Sequence, residues 1–279
     1  MIRGIYTAAS GMLAQISNLN TISNNLANID KIGYKRDTTT FKSFPEMLLR
    51  RTNDDGVVKF PLGSYDRMPI IGRVGTGVEV NEVFTEHEQG GLKQTDNPFD
   101  FALDGKGYFT IQTKDGIRYT RNGSFLINKD SYLVTKDGSF VLGEKGPIQI
   151  KVNNFSVNEQ GEIVVNEDFQ NDKNRLVSSA ENEWKNPKII DKLKIVDFRQ
   201  PRAIKKQGNS YFKATEESLP VVSASNFKIQ QGFLEISNVN PIREMTKMIE
   251  VQRSYEANQR IMQSEDTELG RLVNQVGRV

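Results

Sequence analysis

The chain has 279 residues, 37% hydrophobic and 26% charged, with 37 basic against 35 acidic side chains. That is material for one large or two modest domains, with neither a basic face for nucleic acid nor an acidic disordered tail. Cysteine is absent and histidine occurs once, which removes thiolate nucleophiles, disulfides and most zinc chemistry, so no metal and no cofactor is expected.

Met1 to Thr7 runs straight into an amphipathic pattern without a secretory signal, a start shared by cytoplasmic proteins and by proteins exported without a cleaved leader. No stretch approaches the roughly 18 apolar residues that span a bilayer, so direct membrane insertion is not expected. Counting by sevens from the start, Ile5, Met12, Leu19 and Leu26 fall on one line, with Ala8, Ile22 and Ile29 three residues further on. This is a coiled-coil-like seam, interrupted at Gln15 and widened by Ala9 and Ile16. Its end, "SNNLANIDKIGYK" at 23–35, is crowded with amides, and Gly33 is the expected helix stop.

Residues 36–89 mix a short apolar run with Pro45, Pro61 and Pro69 and read as an extended connector with a few strand turns. From 90 to 235 the rhythm changes. Asp104-Gly105, Asp115-Gly116, Asn122-Gly123, Asp137-Gly138, Gln160-Gly161 and Gln207-Gly208 punctuate short segments such as "YFTIQT" and "EIVV". These are hairpin signals and predict a mostly antiparallel β domain. Near 166–188 the chain turns polar around Trp184, its only tryptophan, and reads as an insertion with a short helix and the indole packed back on the sheet.

The last segment, 236–279, repeats the opening design. Met248, Tyr255, Met262, Leu269 and Val276 are seven apart, flanked by Met245, Val251 and Leu272. Asn238 or Asn240 is placed to cap the helix and Pro241 to occupy its first turn, giving a helix about 50 Å long. Asn258 and Glu265 stand at positions expected to be apolar, a pattern that gives up stability to fix register and partner choice. An ordinary helical hairpin inside a monomer has the same periodicity as a helix pair buried by neighbouring copies.

Patterns that suggest chemistry have simpler explanations. His87 lies between Glu86 and Glu88, but on a strand neighbouring side chains point to opposite faces and do not form one ligand set. "GRVGTG" at 72–77 and "DGKGYF" at 104–109 lack the spacing of a phosphate loop. Asp100 and Asp104 share a strand face without any sign of a sugar cleft, and the sequons at Asn122 and Asn154 match by chance. No catalytic residue is expected.

The opening "GIYTAASGMLAQISNLNTISNNLANIDKIGYKRD" closely resembles the N-terminal signature of flagellar axial proteins of the rod and hook family. The closing "SNVNPIREMTKMIEVQRSYEANQRIMQSEDTELGRLVNQVG" resembles that family's C-terminal signature, and "NPFDFALDGKGYFTIQTKDGIRYTRNGSF" looks like its central domain. The chain is compact, and the likeness is greatest to the rod proteins. The fold this implies is α+β: N- and C-terminal helices (1–35 and 236–279) pairing as a coiled-coil-like core, with an inserted antiparallel β domain and an extended connector.

The resemblance further implies a non-enzymatic structural protein of the bacterial flagellar basal body. Export through the flagellar type III apparatus and assembly outside the inner membrane into a hollow, torque-bearing tube are part of that expectation. The expected partners are copies of itself and other rod and hook proteins. The terminal helices are expected to be disordered before assembly, because isolated helices are marginal in water. The expected subunit interface is Ile5, Met12, Leu19, Asn25, Leu26, Asn28, Met248, Tyr255, Met262 and Leu269, with the asparagines bonding between helices. The alternatives are a hook or hook-junction subunit, a cell-wall-degrading rod-associated enzyme, and an unrelated coiled-coil module.

Overall fold

A computed structural model describes residues 2–51, 57–60, 63–66, 70–150, 155–166, 187–215, 218, 222–224 and 226–276. The polar insertion and Trp184 lie outside the described residues except at the insertion's two ends. The fold is α+β with antiparallel sheets, an N-terminal helix and a long C-terminal helix. It divides into two compact units, one of residues 1–26, 37–84 and 241–279, the other of 27–36 and 85–240.

In the first unit, helix α1 spans Ile2–Ala27 and helix α2 spans Pro241–Arg271, 31 residues and about 46 Å. Proline at the first position gives up an N–H that has no partner in a helix start, and Glu244 in the first turn opposes the positive end of the helix dipole. A short π-helical turn, Leu272–Val276, follows. The segment read as an extended connector is made of paired strands. Asp37–Ser43 pairs with Val78–Thr85, Met47–Arg50 with Ile70–Val74, and Val57–Phe60 with Gly63–Asp66. The second ladder is antiparallel, with Met47 opposite Val74 and Leu49 opposite Gly72, and a bulge at Leu49/Arg50.

Helix α1 stops at Ala27, six residues before the glycine expected to end it, so Ile29 falls past the helical seam. Local turns take over, Lys31 N–H donating to Asn28 O (3.1 Å) and Tyr34 N–H to Lys31 O (3.3 Å). Gly33 then supplies a positive φ of 65°, and its N–H donates to Glu235 O at 2.8 Å. A Cβ there would lie 2.5 Å from the Asn122 nitrogen, so a side chain is excluded on both counts.

The second unit is built on a sheet in which Phe125–Ile127, Leu133–Thr135, Phe140–Val141, Tyr108–Thr113, Gly116–Thr120, Tyr211–Lys213 and Lys205–Lys206 lie in that order. Ile195–Asp197 also pairs with Tyr108–Thr113. Phe155–Val157, Glu162–Asn166 and Pro187–Lys192 form a three-stranded sheet, while Phe101–Gly105 pairs with Phe227–Gln231 and Leu92–Gln94 with Phe233–Glu235. The turns at Asp115-Gly116 and Asp137-Gly138 close hairpins, but Asp104-Gly105 and Asn122-Gly123 link strands that pair elsewhere.

Alternation along Tyr108–Thr113 divides the interior. Phe109 and Ile111 enter the main core with Phe101, Leu103, Phe125 and Leu133, whereas Tyr108 points into a smaller cluster with Tyr119, Phe198 and Phe212. The strand is therefore covered on both faces.

Candidate assembly site

Helices α1 and α2 meet through polar and small residues. A Cβ on Gly4 would stand 2.6 Å from Glu265 Oε1, and one on Gly11 2.9 Å from Asn258 Nδ2. One heptad separates each pair, running forward along α1 and backward along α2. Two heptads beyond Gly11, Asn25 Nδ2 donates to Glu244 Oε2 at 3.3 Å. The two polar residues that break the apolar pattern of α2 therefore face the two glycines of α1, which leave room for them. Val251 occupies the corresponding α2 position between Asn258 and Glu244 and is buried. Leu19, Val251 and Tyr255 line a groove of about 450 Å³ between the helices.

Asn25 is buried and holds more than α2. Its Nδ2 donates to Asp37 O (2.8 Å) and its Oδ1 accepts from Asp37 N–H (2.9 Å), a two-sided clasp on the backbone of the first ribbon strand. The helix is tied to the ribbon at three further places: Thr39 Oγ1 donates to Thr21 Oγ1 (2.9 Å), Thr7 Oγ1 to Thr76 O (3.1 Å), and Val78 N–H to Ser10 Oγ (3.3 Å).

Outside these contacts, large apolar side chains face outward. Tyr6 and Leu13 on α1 are each 70% exposed, and Ile242, Met245, Ile249 and Ile261 on α2 are also exposed. The ribbon adds Met47, Leu48, Leu49, Ile70 and Ile71. Met47, Leu49 and Val74 share one ribbon face, and Glu46, Leu48 and Arg73 the other, where Glu46 and Arg73 approach to 3.5 Å. Grouped exposed apolar residues on helices and a ribbon mark surfaces that associate.

In the second unit, charged side chains are buried around Glu235. Lys35 Nζ lies 2.5 Å from Glu235 Oε1 and also donates to Glu88 O at 2.5 Å. Arg121 Nη1 reaches Glu235 Oε2 at 3.2 Å and its Nη2 donates to Gly105 O at 2.7 Å. Gly90 N–H donates to Glu235 Oε1 at 2.9 Å. Burial lowers the Lys35 pKa, and the adjoining carboxylate of Glu235 opposes that fall. Arg121 lies over the Tyr108 ring, 5.2 Å from its centroid, and Lys206 over Tyr34 at 4.2 Å. His87 joins the same layer, with Nδ1 2.7 Å from Tyr108 Oη and its ring 5.5 Å from Phe212. Burial, reinforced by Lys35, Lys206 and Arg121, lowers the His87 pKa to about 4, and burial raises that of Tyr108. The phenol therefore keeps its proton and the imidazole is neutral, the direction of the bond between them following the ring's tautomer.

Of the residues expected at an interface, Asn25 is buried, while Ile5, Met12, Leu19, Leu26, Met248, Tyr255, Met262 and Leu269 are half-buried. Asn28 lies past the end of α1, in the second unit, where its carbonyl accepts from Lys31. Sequence reasoning missed Glu244, Gly4 and Gly11. The glycine spacing of seven, matched by the spacing of Asn258 and Glu265, was the signal available. Lys35, Arg121 and Glu235 carry no local signal, being brought together from distant parts of the chain. Asn238, a candidate cap, instead accepts from Arg36 N–H at 2.7 Å and donates to the carbonyls of Glu86 and Glu88.

Three family models match successive parts of the chain. Residues 5–35 match the flagella basal body rod protein family, 102–165 the flagellar hook protein FlgE/F/G D1 domain, and 230–275 the flagellar basal body rod FlgEFG protein C-terminal family. The flagellar hook-basal body complex protein FlhO of Bacillus subtilis is 32% identical over 296 residues, covering the whole of both chains. The flagellar basal-body rod protein FlgG of Borreliella burgdorferi is 32% identical over 276 residues, 97% of each chain. FlgG of Agrobacterium fabrum is 31% identical over 271 residues, 95% of this chain and 96% of its own. With both termini and the central β unit matched, the chain belongs to the flagellar basal-body rod protein family of the FlgF/FlgG type.

Proposed function

We propose that the chain is a structural subunit of the bacterial flagellar basal-body rod, located in the periplasmic part of the envelope, where copies of it form a hollow axial tube that carries motor torque toward the hook. The observation that carries this reading is the family match at both termini, which falls on the two helices whose outward faces are apolar. Helices α1 and α2 pair as a coiled-coil-like core, and neighbouring copies cover the exposed stripes that include Tyr6, Leu13, Ile249 and Ile261. The interface includes Ile5, Met12, Leu19, Asn25, Leu26, Asn28, Met248, Tyr255, Met262 and Leu269. Residues 36–85 act as a connector that contacts adjacent subunits through Met47, Leu49 and Val74 and stiffens the tube. The work is mechanical and needs no catalytic centre. Its partners are further copies, other rod and hook proteins, and the type III export apparatus through which the chain leaves the cytoplasm.

Electron cryo-microscopy of basal bodies from cells with and without the gene tests this, with a small tag placed within 167–186. Loss of rod density above a fixed level, restored with tag density at that level on complementation, is the expected result. Tag density on the hook would move the subunit there, and an intact flagellum without tag would refute the assignment.

A further inference from the structure

The chain passes between its two units four times, at 26/27, 36/37, 84/85 and 240/241. Three segments of the second unit adjoin those crossings, 33–36, 86–90 and 235–238, and each is bonded to the other two. Gly33 N–H donates to Glu235 O (2.8 Å), and Arg36 N–H to Asn238 Oδ1 (2.7 Å). Glu86 N–H donates to Arg36 O (2.8 Å), and the Arg36 guanidinium meets the Glu86 carboxylate at 2.5 Å. Asn238 Nδ2 donates to the carbonyls of Glu86 (3.1 Å) and Glu88 (3.3 Å), while Ile236 N–H donates to Gly91 O (2.9 Å).

Glu235 is the point at which these ties converge. It is fully buried, and its side chain accepts from Lys35 on the first segment, Gly90 on the second, and Arg121 on the β sheet. A buried ion pair is a poor way to add stability, since an apolar plug of the same volume does as well or better. What the charges add is direction. Oε1 is held by donors from two of the segments, Lys35 and Gly90, and Oε2 by Arg121 on the sheet, so one segment cannot slide past another without leaving a buried charge short of its partners. A hydrophobic contact in the same place would tolerate sliding, because it is non-directional.

We propose that Glu235 is a positioning residue that binds the three segments into one rigid collar, through which force arriving along the terminal helices or the connector enters the β unit. The mechanical half of this statement rests on the rod reading; the collar itself does not. Hydrogen exchange read by mass spectrometry on the purified full chain tests the collar. In Glu235→Ala, amides in 33–36, 86–90 and 235–238 are expected to exchange faster together, by about 100-fold, with strand Tyr108–Thr113 keeping its protection. Glu235→Gln, which keeps shape and an acceptor, should show a smaller rise over the same three segments and serves if the alanine variant does not fold. Acceleration spread evenly over the β unit, or confined to Gly90, overturns the proposal.

For the mechanical half, cells carrying Glu235→Gln should build rods in normal number yet show greater torsional compliance in tethered-cell recoil. A Val141→Ala core variant with the same loss of melting temperature should not. Equal compliance in the two overturns it. Absence of the wild-type chain from basal bodies would refute the rod reading and leave the exchange result standing.

Discussion

His87 is the chain's single histidine, so its titration can be followed alone. An unfolded imidazole takes its proton near 6.5, whereas the folded ring, desolvated and facing Lys35, Lys206 and Arg121, resists protonation down to about 4; the carbonyl of Pro201 pulls weakly the other way. Tyr108 Oη lies 2.7 Å from the ring nitrogen and Phe212 packs on the ring, and neither compensates an added charge. Above 6.5 the ring is neutral in both states and the stabilisation is complete. As pH falls from 6.5 to about 4 only the unfolded state gains the proton, and the fold loses 1.36 kcal/mol per pH unit, about 3 kcal/mol in all. Below 4 this loss stops. Carboxylates titrate in part of the same range, so the measurement compares wild type with His87→Phe, each unfolded in urea at intervals from pH 7.5 to 4. The difference in unfolding free energy should shrink by about 3 kcal/mol over that span as the wild type alone weakens, while the imidazole proton shifts in NMR stay those of a neutral ring to below pH 5. An imidazole that titrates near 6.5 in the folded protein, or parallel pH profiles for the two proteins, would show that the folded ring is not held neutral.

Asn25→Leu keeps the branching and heavy-atom count of the side chain but removes its two bonds to the Asp37 backbone and its hold on Glu244; a loss of about 2–4 kcal/mol is expected in assembled tubes, read as a lower dissociation midpoint. A double-mutant cycle with Glu244→Leu should recover about 1 kcal/mol, and strict additivity would show that the pair is uncoupled. Gly11→Leu drives a side chain into Asn258 and should block tube formation, while Gly11→Leu with Asn258→Gly should restore it in part; assembly unaffected by Gly11→Leu would show that the seam does not govern it. Met47→Asp with Leu49→Asp places two charges on the apolar ribbon face; monomer melting should move by less than 2 °C while pelletable polymer falls at least tenfold, and normal polymer would show that this face is not covered.

The parts of this structure that were legible are those written locally. A spacing of seven put Met248, Tyr255, Met262 and Leu269 on one face of a helix, and each is half-buried while Glu256, Gln263 and Glu268 are exposed. The turn pairs at Asp115-Gly116 and Asp137-Gly138 close hairpins because the glycine takes a positive φ where a two-strand turn needs it. The same signal at Asn122-Gly123 does not, since Gly123 accepts from Phe101 N–H while Ser124 and Phe125 are held by Asp100 and Phe99, just ahead of strand Phe101–Gly105. The end of α1 was misplaced because Gly33 was given the job of stopping a helix. It is needed instead for a close approach of two backbones, which depends on residue 122 and cannot be seen from residue 33. Lys35, Arg121 and Glu235 were illegible for the same reason: each is an ordinary charge in its own neighbourhood, and only the fold removes it from water.

The glycine rungs between α1 and α2 have a consequence for errors of threading. If α2 slipped by one heptad, Glu265 would face Gly11 in place of Gly4, another position without a side chain, but Asn258 would face Asn18, whose side chain fills the space that Gly11 leaves open. The Glu265 rung alone does not tell the correct alignment from its neighbour, whereas the Asn258 rung does. At the other end the slipped pairing sets Asn25 against Val251 and leaves the Glu244 carboxylate without its amide partner. Alignment of the pair is therefore proofread at two places, midway along the seam and where the N-terminal helix ends and the C-terminal helix begins.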